Sequence, residues 1–171
     1  MKTISRTLLA VIFVAASTVA FACGTIQSRA YNYRQAESFD QKITELTFIN
    51  CPSIIGQEMT DDDLEMLSRM LRSAFNDAIG LEGEDKAKAK RLGDLALITY
   101  FTYREQIVAS DDAAHEVHES IADYLKTPPG ETGLIMSEVE YTEKERQRFD
   151  PDKFEDKAIK LRSKVDAVIG G

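Results

Sequence analysis

The 171-residue chain has little from which to build a reactive centre: two cysteines, Cys23 and Cys51, and two histidines, His115 and His118. Ser, His and Asp are all present, but no serine stands in anything like a nucleophile elbow. Gly80 and Gly83 do not make a phosphate loop. The run Asp61-Asp62-Asp63 lacks the alternating ligands and turn glycine of a calcium loop, and helix capping accounts for it. The chain has no internal repeat and no long low-complexity stretch, and beyond residue 22 no segment is apolar enough to span a membrane. These absences leave no enzyme signature, so the expectation is a non-enzymatic protein without a cofactor. Positive charge is also short: 21 Lys and Arg stand against 29 Asp and Glu, for a net charge of −8.

The first residues are organised differently from the rest. Lys2 and Arg6 are the only charges before Arg29, and the apolar and small run Thr7 to Ala22 follows them. That run is 16 residues long, whereas a spanning helix needs ~20 apolar residues. It ends in Ala20-Phe21-Ala22, the small-x-small pattern of a cleavage site. Residues 1–22 are therefore read as a signal peptide, 23–40 as a polar tether, and 41–171 as one domain. Removing Lys2 and Arg6 with the leader would take the net charge from −8 to −10. A remainder of this size buries one sizeable core. Its acidity repels nucleic acid and anionic lipid headgroups and favours encounter with a basic protein partner.

Val19-Ala20-Phe21-Ala22-Cys23 resembles a bacterial lipobox, with Ala20 where Leu is usual and Phe21 bulkier than the position normally holds. The resemblance implies a diacylated thiol on Cys23, cleavage before it, and a lipid that holds the protein on a membrane. The uncharged Gly24 would then permit passage to the outer membrane of a two-membrane cell. The alternative reading cuts after Ala22 without lipid, leaving Cys23 and Cys51 as the only thiols in an oxidising compartment. A disulfide between them would be the default there.

In the body, Lys42 to Asn50 is rich in β-branched and aromatic residues and stops at Cys51-Pro52, which reads as a strand. Thr60 with Asp63 opens a helix in the manner of a capping box, followed by Leu64, Leu67, Met70, Leu71, Ala74, Phe75, Ala78 and Ile79 at helical spacing, with Gly80 placed to cap it. Leu95 to Val108 is apolar on both alternating faces and reads as a buried strand, with a buried helix as the competing reading. Ser110 and Asp111 begin a second helix, closed by Thr127-Pro128-Pro129-Gly130. Leu134 to Thr142 reads as a third strand, and Asp150-Pro151 caps a final helix with Phe154, Ala158, Leu161, Val165, Val168 and Ile169 inward. The expected fold is α+β, a small mixed or antiparallel sheet of about three strands packed against three helices, with a mostly α-helical fold as the alternative.

The one suggestive constellation is His115-Glu116-Val117-His118-Glu119. In a zinc-protease helix the two histidines stand four apart; here they stand three apart. His115 and His118, with Glu119 or Asp111, share a helix face and form a weak metal candidate that lacks a third strong ligand. Glu138 and Glu140 would share one face of a strand, as paired carboxylates of glycosidases can, but a solvent face accounts for them. Two functional expectations follow. One is a membrane-anchored envelope lipoprotein acting as a binding or accessory module. The other is a periplasmic immunity or inhibitor protein that neutralises a basic toxin or hydrolase.

Overall fold

The structure, a computed structural model, describes residues 23–79, 83, 85–128, 130–147, 150 and 153–171. The signal-peptide reading of residues 1–22, and the caps assigned to Gly80 and Pro151, lie outside the described residues. Among those described, none is in a strand. The described residues form nine helices: α1 (Ile26–Gln35), α2 (Phe39–Ile49), α3 (Pro52–Ile55), α4 (Asp61–Ala78), α5 (Asp85–Val108), α6 (Asp111–Leu125), α7 (Thr132–Glu138), α8 (Glu143–Gln147) and α9 (Phe154–Ile169). The expected α+β sheet is therefore replaced by a helical bundle, the alternative reading.

The axis of the bundle is α5. Every residue from Leu92 to Tyr103 is buried, and α2, α4, α6 and α9 pack around it. A helix enclosed on all sides has no polar stripe, so its sequence shows no 3.6-residue period and imitates a central strand. Its β-branched residues are accommodated locally: the hydroxyls of Thr99 and Thr102 each donate at 2.8 Å to the carbonyls of Leu95 and Ile98. Two polar side chains on and beside α5 find partners in the interior. Tyr103 Oη donates to the Ile49 carbonyl at 2.7 Å, and Asn50 Nδ2 donates to Thr99 Oγ1 at 2.8 Å. Gly93 marks the closest approach of α6, because a Cβ at that position would collide with the ring of Tyr124.

The first expected strand is α2. Its start is encoded in Ser38 and Gln41: Ser38 Oγ accepts from the Gln41 amide at 3.3 Å, and Gln41 Oε1 accepts from the Ser38 amide at 3.2 Å. This capping box satisfies donors that a helix start leaves over. Ile43, Leu46 and Ile49 are then buried at three-residue spacing. Thr44 and Thr47, which give the segment its strand-like composition, donate to the carbonyls of Asp40 and Ile43 at 2.8 and 2.7 Å.

The third expected strand is also absent. Residues up to Glu138 form α7, and the chain continues without helix through Val139, which is buried, to Thr142. Arg104 Nη1 of α5 holds this turn by donating to the carbonyls of Met136 and Val139 at 2.9 and 3.0 Å. Glu138 and Glu140 accordingly share no strand face. The helix from Thr60 does form with the expected box: Thr60 Oγ1 accepts from the Asp63 amide at 3.2 Å, and Asp63 Oδ2 from the Thr60 amide at 3.1 Å.

Residues 23–40 do not form a tether. Thr25 caps α1, which packs against α2 and α4 and buries Ile26, Ala30 and Tyr33. Tyr33 Oη donates to Asp77 Oδ2 at 3.2 Å, while Arg29 donates to the Cys23 carbonyl at 2.6 Å and pairs with Glu45 at 2.9 Å. Cys23 is itself buried and is disulfide-bonded to Cys51, with their Cα atoms 6.3 Å apart. This is the alternative reading of the cysteine pair, and it occupies the sulfur on which the lipid was expected. For a sequence separation of 28, loop closure stabilises the fold by about 3.5 kcal/mol in the chain-entropy account.

Candidate functional site

Helix α6 is an amphipathic surface element of the bundle with acidic charge on its outer face. Ser110 caps it, its hydroxyl accepting from the Ala113 amide at 3.4 Å. Val117, Ser120, Ile121, Ala122 and Leu125 face the interior. Asp111, Asp112, Glu116, Glu119 and Asp123 are exposed, and the helix contains neither Lys nor Arg. The cations gather elsewhere. Lys86, Lys88, Lys90 and Arg91 occupy the first turns of α5, and Lys157, Lys160, Arg162 and Lys164 lie on α9. An overall negative charge thus resolves into an acidic helix, met by Arg72 of α4 at Glu116, and a mixed-sign region on α5 and α9.

A cleft of about 680 Å³ opens between α6 and the turn that precedes α7, lined by His118, Glu119, Ala122, Asp123, Thr132 and Gly133 among others. His118 forms its wall. The imidazole Nε2 lies 2.8 Å from Tyr100 Oη of α5 in a hydrogen bond whose direction depends on the tautomer, and the two rings meet edge to face with centroids 5.7 Å apart. The residue opposite must be small, since a Cβ on Gly133 would stand only 3.0 Å from His118 Nδ1. Burial holds the His118 pKa below its ordinary value of 6.5, with the nearby His115 acting in the same direction. Burial also pushes the Tyr100 hydroxyl up, opposed by Arg104. Behind the cleft, Thr127 Oγ1 and Thr132 Oγ1 are hydrogen-bonded at 2.9 Å.

The metal candidates do not gather. His115 points into solvent, with its Nε2 3.4 Å from Glu119 Oε1 and both side chains more than two-thirds exposed at 74% and 67%. His118 turns inward to Tyr100 instead. Among the described residues no group of three or more His, Cys, Asp or Glu side chains is placed to hold a metal ion. Asp61, Asp62 and Asp63 serve the first turn of α4, as capping predicts.

A second cleft, of about 800 Å³, lies beside α9 and is lined by Tyr141, Glu145, Lys153, Asp156, Lys157 and Lys160 among others. Lys157 is a perturbed cation of this cleft. Burial brings its pKa down to about 8, opposed by Glu145. Its Nζ donates to the Glu145 carbonyl at 2.6 Å and stands 5.4 Å from the centre of the Tyr141 ring. The sequence gives no hint of it, because Lys157 sits among outward lysines at ordinary helix spacing. The His118–Tyr100 contact is equally hidden, since only the packing of α6 on α5 brings the two rings together. Compared with models of known families, with curated proteins and with solved structures, the chain matches none of them.

Proposed function

We propose that the protein is an exported binding module that captures a basic protein, in the manner of an immunity or inhibitor protein that neutralises a toxin or hydrolase. The observation that carries the reading is α6: five exposed carboxylates and no Lys or Arg, on a helix whose other side is fixed into the bundle, with Glu116 paired to Arg72 of α4. A rigid face of one sign needs no reorganisation to meet its opposite. Steering by such a field raises association rates by roughly ten- to a thousandfold at low salt. Stable disulfides belong to oxidising compartments, so the Cys23–Cys51 bridge supports export. The accessory-lipoprotein reading rested on a lipid at Cys23 and a polar tether behind it. The pairing of that sulfur with Cys51 and the folding of residues 26–35 into α1 favour the capture reading over it.

The test is a deletion strain grown alone and beside a competitor that delivers basic toxins to the envelope. The expected result is normal growth and an intact envelope in isolation, with loss of viability only beside the armed competitor. Envelope damage in the isolated culture, or no sensitivity under either condition, would overturn the proposal.

A further inference from the structure

We propose that the cleft between α6 and the turn before α7 receives an arginine side chain of the basic partner. The inference rests on the capture reading above and assigns it a specific pocket. The floor is made of small residues, Ala122, Thr132 and Gly133, which leave room for a stem of methylene groups. Glu119 and Asp123 stand four residues apart, and so lie on the same helix face at the rim. Both are exposed. Among the described residues Asp123 makes no ion pair, and Glu119 has only the neighbouring His115. A guanidinium is the cation whose planar fork of donors matches a carboxylate at two points, and it binds without being strongly hydrated.

The wall favours the same occupant. His118 is held in place by Tyr100, and burial lowers its pKa, which disfavours a charged ring beside a guanidinium. An acidic rim around an apolar and aromatic-backed centre is the pattern in which arginine anchors protein interfaces.

The experiment is an NMR titration of ¹⁵N-labelled protein, purified from a host expressing the whole chain, with acetyl-Gly-Arg-Gly-amide and with its neutral citrulline counterpart. The expected result is saturable shifts of the His118 ring nitrogens and of the Glu119, Asp123, Thr132 and Gly133 amides with the arginine peptide. Shifts with citrulline should be at least fivefold smaller, and those with arginine should be lost in the Glu119→Gln, Asp123→Asn double variant. Shifts confined to Asp111, Asp112 and Glu116, on the rest of α6, would overturn the cleft assignment while leaving the acidic capture face standing. Equal shifts with both peptides would overturn the guanidinium as the recognised group. No shift anywhere would overturn both the cleft and the charge-driven capture on which it rests.

Discussion

Helices α5 and α6 follow each other in the chain and pack together, yet they solve opposite problems. In α5 twelve consecutive residues, Leu92 to Tyr103, are closed off from water on every side. In α6 the apolar residues form one stripe and the carboxylates another. Enclosure makes α5 the source of stability, because each side chain it contributes is removed from water at roughly 25 cal/mol per Å² of apolar surface. Half-exposure makes α6 the carrier of specificity, because its outward residues are free of packing constraints and can be chosen for charge. The division implies that mutations in α5 act on folding and those on the outer face of α6 act on recognition.

The sharpest way to break that division is Phe101→Ala. The ring is fully enclosed, 5.2 Å from Tyr100 and 5.5 Å from Tyr141 between centroids, with the Arg104 guanidinium 5.4 Å above it. Removing it leaves a cavity that the surrounding helices cannot close, and the expected loss is about 3 to 5 kcal/mol. Glu119→Ala on α6 is expected to stay within about 0.5 kcal/mol of the parent. Urea unfolding followed by far-ultraviolet circular dichroism measures both, and similar losses for the two variants would show that the helices do not divide the work in this way.

The same contrast explains what was legible in the sequence. Half-exposed helices announce themselves: Thr60 with Asp63, and Ser110 followed by Val117, Ile121 and Leu125, carry both a cap and a period. In α5 the period vanishes because there is no solvent side, and residues such as Ile98, Thr99 and Tyr100 then look like strand formers. Their conformation is decided by the helices around them rather than by intrinsic preference. For α2 the information was present in Ser38 and Gln41, a capping box masked by Thr44, Thr47 and Phe48. Of the candidate site, the acidity and the two histidines could be read directly. The turning of His118 toward Tyr100, and the placing of Gly133 against it, depend on tertiary contacts that no local pattern records.

A smaller effect is expected at the seam between the two helices. By helix propensity alone, Gly93→Ala should stabilise α5 by about 1 kcal/mol. The added methyl would instead meet the Tyr124 ring, whose hydroxyl donates to Asp94 Oδ1 at 3.0 Å and whose face packs on Phe75 with centroids 5.5 Å apart. Overpacking of this kind costs about 1 to 3 kcal/mol, so the single variant is expected to be destabilised on balance. In a Tyr124→Leu background the ring is gone, and Gly93→Ala should become neutral or stabilising. A double-mutant cycle by thermal unfolding reads the coupling. An additive result would mean that the seam is loose enough for α6 to shift away, and that α6 is less firmly fixed than the capture reading requires.

The smallest effect is a dependence of stability on pH that begins in α6 and is set by α5. Burial against Tyr100 lowers the His118 pKa in the folded protein relative to its ordinary 6.5, so below that pH the unfolded chain binds more protons than the native one. Stability is therefore full above about pH 6.5 and falls as the solution is acidified toward the lower folded value. Two carboxylates are shifted downward as well. In Asp63, burial is outweighed by hydrogen bonds from Thr60, and in Glu145 it is outweighed by Lys164 and Thr142. Their contributions are present above the ordinary values of 3.8 and 4.5 and are lost only as pH falls through and below them, which leaves the interval from about 6.5 to 5 to His118. Urea midpoints measured at pH 7.5 and pH 5 should fall on acidification in the parent and change less in His118→Gln, whose amide has no proton to gain. An equal fall in both proteins would mean that His118 is not the group that senses pH, and that the imidazole is more open to water than its contact with Tyr100 and Gly133 implies.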